Sequence, residues 1–159
     1  MGVAGSGKSS IGRALSDALN TIFLDGDDFH PPENINKMNS GQALNDEDRS
    51  AWLYNIRQCA WEYESRKESV IIACSALKQA YRDFLKQEMG QVDIHWVFLD
   101  GSYDLILGRM KKRTGHFMPP SLLQSQFDAL EPPVDAIQVD IAKPISEIVS
   151  QILSHISKL

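Results

Sequence analysis

Gly2-Val3-Ala4-Gly5-Ser6-Gly7-Lys8-Ser9 fits the spacing G-x-x-x-x-G-K-[ST] residue for residue. Glycines let the backbone wrap closely round an anion, with successive N–H groups aimed at phosphate oxygens. In such a loop the lysine reaches the outer phosphates and the following hydroxyl binds Mg²⁺. Those roles fall on Lys8 and Ser9. A helix opening at Lys8, with Ser10 in its first turn, adds the positive end of its dipole. The pattern predicts a nucleoside triphosphate site. A chance glycine-rich turn is the weaker alternative, because an apolar helical pattern follows at once.

Asp25-Gly26-Asp27-Asp28 follows a short apolar run, Thr21 to Leu24. In parallel sheets ligands bind beyond the carboxyl ends of strands. A carboxylate there can accept a proton from an attacking hydroxyl or hold the water shell of Mg²⁺. The other reading is an acidic turn. His30 either binds substrate or ends the loop at Pro31-Pro32. Lys78 and Arg82 are four apart on one helix face, which suits an anionic substrate or a solvated basic face. Arg109 and Arg113 repeat that spacing, and like charges so placed repel by a few tenths of a kcal/mol. A bound triphosphate reverses that cost, and arginines on a closing lid stabilise charge in phosphoryl transfer. A basic helix end favoured by its dipole is the alternative, and it suits Lys111 and Lys112 better. Arg49 opens a helix, an unusual place for a cation, so it binds substrate or pairs with a neighbouring acid. Cys74 has no sequence neighbour that would activate it and reads as strand packing.

Alternating strands and helices must position these residues. Lys8–Leu19 carries Ile11, Ala14, Leu15, Ala18 and Leu19 on one helical face. Thr21–Asp25, Val70–Cys74, Ile94–Leu99 and Ala136–Asp140 read as strands; Val70–Cys74 is continuously apolar, as a strand covered on both faces is, and Ile94–Leu99 reads as another buried strand. Helices are expected from Pro32 to Met38, from an Asn45 or Asp46 cap to about Glu64, from Lys78 to Glu88, and from a Ser102 cap to Arg113. Ser121 with Gln124 resembles a capping box for Leu122–Leu130, and Ile145–Ile156 is amphipathic. The order predicts an α/β fold: one domain over 1–159, three layers, a parallel sheet with helices on both faces, and a lid at about 109–131.

Composition narrows the partners. The chain has 159 residues, 43% hydrophobic and 23% charged, with a net charge of -5. That acidity argues against nucleic acid or an anionic membrane as the main partner. Two cysteines, Cys59 and Cys74, show no metal spacing. No signal peptide or membrane-length apolar run is visible. A reduced, cytoplasmic setting is expected.

Several blocks together are similar to gluconokinases of the small phosphate-loop kinase type. They are Gly2–Ser9, Asp25–Pro31, Asn34 with Lys37-Met38, Leu44–Arg49 with Trp52-Leu53, Cys74–Lys78 with Tyr81-Arg82-Asp83, Gly115–Met118, Leu123–Phe127 and Leu130-Glu131-Pro132. The resemblance spans nearly the whole chain. It implies transfer of the ATP γ-phosphoryl group to the 6-hydroxyl of D-gluconate with Mg²⁺, a sheet of order 2-3-1-4-5, and a homodimer. It implies Asp27 as the base and Lys8 and Arg113 as further catalytic groups. Gly2, Val3, Ala4, Gly5, Ser6, Gly7, Lys8, Ser9, Ser10 and Arg109 would meet the nucleotide. Ser9 and Asp25 would hold the metal. Asp27, His30, Arg49, Lys78, Arg82 and His116 would face gluconate. Shikimate kinases and nucleotide kinases share the loop, the acidic group and the lid arginine, but the Cys74–Lys78 and His116–Met118 blocks favour gluconate. A GTP switch is disfavoured, because Asn36-Lys37-Met38-Asn39 ends in Asn where a guanine reader needs Asp, and comes too early.

One departure concerns the start. In such kinases several apolar residues precede the loop as the central first strand; here Met1 alone does. Its absence removes a backbone ladder on two sides and about four buried apolar side chains, at roughly 1.5–3 kcal/mol each. The expectation is that Met1 is not the natural start or that the chain is a shortened form, with nucleotide binding without turnover as one outcome.

Overall fold

The computed structural model describes residues 1–87, 89, 93–112 and 122–156. The phosphate loop leads into α1 (Lys8–Leu19), which ends at Asn20 in the left-handed conformation. β1 (Ile22–Asp25) runs into a single 3₁₀ turn over Gly26–Phe29, then α2 (Pro32–Asn39) and α3 (Asp46–Ser65). β2 (Val70–Ala73), α4 (Gln79–Lys86), β3 (Val97–Asp100) and α5 (Tyr103–Lys112) follow. α6 (Leu123–Ala129), β4 (Ile137–Asp140) and α7 (Ile145–Ile156) complete the described chain.

Local chemistry accounts for the boundaries. Asn45 caps α3 by accepting from Asp48 N–H at 2.8 Å, while Asp48 Oδ2 accepts from Asn45 N–H at 2.7 Å. That reciprocal box satisfies two orphan donors and places acids at the positive helix end. Pro32 sits at the first turn of α2, where its missing N–H costs nothing. Of the Ser121–Gln124 box, Ser121 lies outside the described residues, and Leu122 precedes the first residue of α6.

All observed pairings are parallel. β1 pairs with β2, from Ile22 opposite Val70 to Asp25 opposite Ala73. β3 pairs with β4, from Val97 opposite Ile137 to Asp100 opposite Asp140. These are the second, third, fourth and fifth strands of the expected order, split where the first would lie. The strand expected over Ile94–Leu99 forms at Val97–Asp100, and just before it the Trp96 carbonyl accepts from Ile137 N–H at 2.8 Å.

Helices cover both faces. On β2, Ile71 packs with the core of α1, α5 and α7, which holds Ile11, Leu15, Ile106, Ile148 and Ile152. The next residue, Ile72, packs with the core of α3 and α4, which holds Trp52, Leu53, Ile56, Tyr81 and Leu85. Successive strand residues point to opposite faces, so a strand covered on both sides reads as an apolar run. Among the described residues no helix is long and apolar enough to cross a membrane.

Candidate active site

The phosphate loop takes its shape from glycine. Gly7 stands at φ 100° immediately before α1, and Gly5 at φ 79°, both in the left-handed region that side chains disfavour. A Cβ on Gly5 would also lie 2.6 Å from Met110 Cγ, so the loop packs directly on α5. Val3 and Ser6 are buried beneath it. Lys8 Nζ folds back and donates to the Gly2 and Val3 carbonyls, each at 3.1 Å. The ammonium therefore lies over the loop, where the outer phosphates of a triphosphate would meet it.

The carboxyl end of β1 reaches the start of α1. Ser9 Oγ donates to Asp25 Oδ2 at 2.6 Å, and Asp25 Oδ1 accepts from Asp27 N–H at 3.2 Å. Asp25 thus caps the 3₁₀ turn and brings a carboxylate oxygen against the loop hydroxyl. A hydroxyl and a carboxylate are the hard oxygen donors that Mg²⁺ takes, with phosphates and waters filling its remaining positions. Among the described residues no cluster of three or more His, Cys, Asp or Glu could hold a metal by itself. Two oxygen donors beside a phosphate loop fit an ion that arrives with its nucleotide.

Gly26 lets the turn approach β2: a Cβ there would stand 2.3 Å from the Ala73 carbonyl oxygen. Its own carbonyl accepts from the buried Trp52 Nε1 at 2.6 Å. The His30 ring stacks on Trp52, centroids 4.5 Å apart and planes 9° from parallel. Burial, aided by the nearby Arg49 guanidinium, pulls the His30 pKa down to about 4. His30 is therefore neutral at pH 7, able to offer or accept a hydrogen bond without adding charge. Asn34 Nδ2 reaches back to the Asp48 carbonyl at 2.7 Å, tying α2 to the start of α3.

One cleft gathers Ala4, Gly5, Gly7, Lys8, Ser9, Asp27, His30 and Arg49. Five expected positions of the loop, its lysine and hydroxyl included, meet there with three of the expected substrate residues. The basic residues around the cleft differ in their partners. Lys78 Nζ donates to both Asp46 oxygens at 2.7 and 2.8 Å, and Lys37 Nζ to Asp48 at 2.6 Å. Those bonds hold the Asp46 and Asp48 pKa values below the ordinary range and raise that of Lys78. Tyr81 donates its hydroxyl to Asp46 as well. Among the described residues Arg49 has no carboxylate within ion-pair distance; its guanidinium lies against the Tyr81 ring and hydroxyl.

Other expected residues take different places. Arg82 is 2% exposed and does not line the cleft. Its guanidinium donates to the Ala76, Leu77 and Glu131 carbonyls at 2.9, 3.1 and 2.9 Å and to Gln79 Oε1 at 2.7 Å. Arg109 donates to the Ile141 carbonyl at 2.6 Å, joining α5 to the turn after β4. Ser10 is exposed on α1. Arg113 and His116 lie outside the described residues. Cys74 is buried, which pushes its thiol up to about 11, so it packs rather than reacts.

Three residues enter the site that reading the sequence did not single out for it. Gln126 Oε1 accepts from Ala4 N–H at 2.6 Å, linking α6 to the phosphate loop across 122 residues. Trp52 holds the Gly26 turn, and Asp46 neutralises Lys78. Gln126 carries no local signal of its contact. Trp52 was legible as an apolar helix position, but the partner of its indole N–H was not.

Comparison with known proteins follows the same lines. A family model described as shikimate kinase matches residues 4–156. The thermosensitive gluconokinase of Escherichia coli is 44% identical over 155 residues, covering 95% of this chain and 82% of that protein. A solved gluconokinase from Sinorhizobium meliloti superposes with a TM-score of 0.87 at 47% identity, covering 99% of this chain and 89% of that one. The shikimate kinase of Aquifex aeolicus, at a TM-score of 0.64 and 22% identity over 99% of this chain and 94% of that one, shares the fold alone. The phosphate loop, the acidic turn after β1 and these matches agree, and the chain belongs to the shikimate-kinase family, grouped with its gluconokinase relatives as a phosphotransferase acting on an alcohol group.

Proposed function

We propose that this protein transfers the γ-phosphoryl group of ATP to the 6-hydroxyl of D-gluconate, giving 6-phospho-D-gluconate and ADP. The observation that carries the reading is the pairing, in one cleft, of a complete phosphate loop with Arg49, a cation without a carboxylate partner among the described residues. A sugar acid supplies the missing anion. The gluconokinase relatives at 44% and 47% identity support the same acceptor.

The residues divide the work. Lys8 and the loop N–H groups hold the phosphates and place them at the head of α1. Ser9 and Asp25 would hold a Mg²⁺ ion, which neutralises phosphate charge. Asp27 takes the proton of the attacking hydroxyl or orients it. Arg49 binds the acceptor carboxylate, and neutral His30 takes a hydroxyl. Lys78, Arg109, Arg113, Ser10 and His116 stay in the proposed set from the family resemblance, with Lys78 sharing its charge with Asp46, and Arg82 stays in it as a positioning residue behind Leu77, which lines the cleft. Phosphoryl transfer is mostly positioning and charge stabilisation, and these groups supply both.

The experiment is a coupled ADP-release assay with gluconate, shikimate and nucleoside monophosphates, with ATP binding measured beside turnover. Gluconate turnover above the other acceptors is expected. Turnover with another acceptor alone sinks the reading, and ATP binding without any turnover makes this chain a nucleotide binder. Asp27→Asn should lower kcat by 10²-fold or more, on the order of a lost general base, at similar gluconate affinity. An unchanged kcat removes Asp27 from the chemistry. We further propose a homodimer working in the cytoplasm, supported by the two unpaired cysteines for the setting and by the family resemblance for the dimer. Sedimentation equilibrium tests the assembly.

A further inference from the structure

Two loops face each other across the cleft, and transfer between them depends on their relative placement. The phosphate loop forms the nucleotide side. Ser75 and Leu77, between β2 and α4, line the cleft with Arg49 and His30, on the side assigned to the acceptor. The loops are bonded directly where Gly2 N–H donates to the Ser75 carbonyl at 3.2 Å. One such bond fixes a distance but leaves a pivot.

α6 ties the loops together a second time. Gln126 is 8% exposed and lines the cleft with Leu122 and Ser125. Its Oε1 accepts from Ala4 N–H at 2.6 Å. A backbone N–H only donates, so the amide must present its oxygen there. Beyond the end of α6, Glu131 grips the other loop. Its N–H donates to the Leu77 carbonyl at 2.9 Å, and its Oε2 accepts from Gln79 N–H at 2.6 Å. The second bond caps α4, whose own N-cap residue, Lys78, makes no side-chain cap bond. The helix itself is anchored: Leu123 is fully buried, and Phe127 packs on Tyr103 of α5 with centroids 5.4 Å apart. Phosphate-loop N–H groups ordinarily aim at phosphate oxygens, but that of Ala4 is engaged by α6. Breaking this bond would let the loop tilt without removing a phosphate contact.

We propose that Gln126 is a positioning residue: through Ala4 it holds the phosphate loop at a fixed angle to the Ser75–Lys78 loop, so that the γ-phosphoryl group lines up with the attacking hydroxyl. This role rests on the phosphoryl transfer proposed above. Transfer needs the attacking and leaving oxygens roughly in line, and a misplacement of about 1 Å costs about 10²-fold in rate. Each substrate binds within its own loop, so its affinity depends little on the angle between the loops. The loss of Gln126 therefore falls on kcat rather than on either KM.

Gln126→Met keeps the length and bulk of the side chain and removes the acceptor; Gln126→Glu keeps an oxygen for Ala4 N–H. Turnover is read, well below each melting transition, with whichever alcohol the parent phosphorylates, so failure of gluconate as the acceptor leaves the measurement intact. The Ala4 amide is followed by NMR and hydrogen exchange. The methionine variant should lose about 10- to 100-fold in kcat with both KM values within about threefold of the parent, and its Ala4 amide proton should move upfield. The glutamate variant should keep that shift and hold kcat several-fold above the methionine variant, its charge raising the KM for ATP instead. In the parent the Ala4 amide should exchange slowly. Open-chain exchange there, a methionine variant with kcat within about twofold of the parent, a loss carried mainly by the KM for ATP, or a glutamate variant no better than methionine overturns the role. A parent that binds ATP and phosphorylates no alcohol ends the transfer reading and this role with it.

Discussion

Replacing Arg82 by Met separates two readings of one residue. Sequence spacing and family resemblance put Arg82 on the acceptor; the structure gives its guanidinium four acceptors inside the protein, the carbonyls of Ala76, Leu77 and Glu131 and Gln79 Oε1. Methionine keeps much of the apolar stem and removes every donor. Each charge-assisted bond contributes about 1.5–3 kcal/mol, and each buried carbonyl left unpaired costs about 1–3 kcal/mol. These terms overlap and do not sum, and breaking a buried charged network typically costs about 3–5 kcal/mol. For a domain of this size each kcal/mol lowers the melting temperature by about 2–4 °C. The expected loss is therefore about 10 °C. Below the transition, gluconate KM should rise no more than a few-fold, through slack in Ser75 and Leu77, which line the cleft. Arg82→Lys should recover little, because one ammonium cannot span acceptors on three segments. Thermal melts paired with steady-state kinetics well below the transition decide it. A 30-fold rise in KM with an unchanged melting temperature would refute the structural role.

Arg49→Met should raise gluconate KM by about 10- to 100-fold, the worth of a charge-assisted bond, with little change in melting temperature; an equal loss for ATP and gluconate would contradict the assignment to the acceptor. His30, with a pKa of about 4 folded against an ordinary value of 6.5, binds its proton more readily in the unfolded chain. Its contribution to stability is full above pH 6.5 and is lost as pH falls toward 4. His30→Phe, which keeps the stack on Trp52, should flatten that acid slope in urea midpoints, and an unchanged slope would count against a buried neutral imidazole. Gly26→Ala should destabilise strongly, since its Cβ would meet the Ala73 carbonyl oxygen at 2.3 Å. A variant melting within 2 °C of the parent, on the order of half a kcal/mol, would contradict that packing.

The sequence by itself determined what local pattern encodes. The loop Gly2–Ser9 is contiguous, so its chemistry is legible without a fold. The helices Lys8–Leu19 and Ile145–Ile156 and the cap at Asn45 follow from periodicity and short-range hydrogen bonds, and the structure places them there. Apolar runs announced the parallel strands, but not that β3 would begin only at Val97, because a strand's extent depends on its neighbours in the sheet. Charge identity was likewise visible and charge pairing was not. Lys78, Arg82 and Arg49 look alike as cations near a motif. Only the tertiary arrangement set Asp46 against Lys78, sank Arg82 among the carbonyls of Ala76, Leu77 and Glu131, and left Arg49 facing the cleft. Asp46 lies 32 residues from Lys78 and Glu131 lies 49 from Arg82, and burial decides which partners a charge can keep.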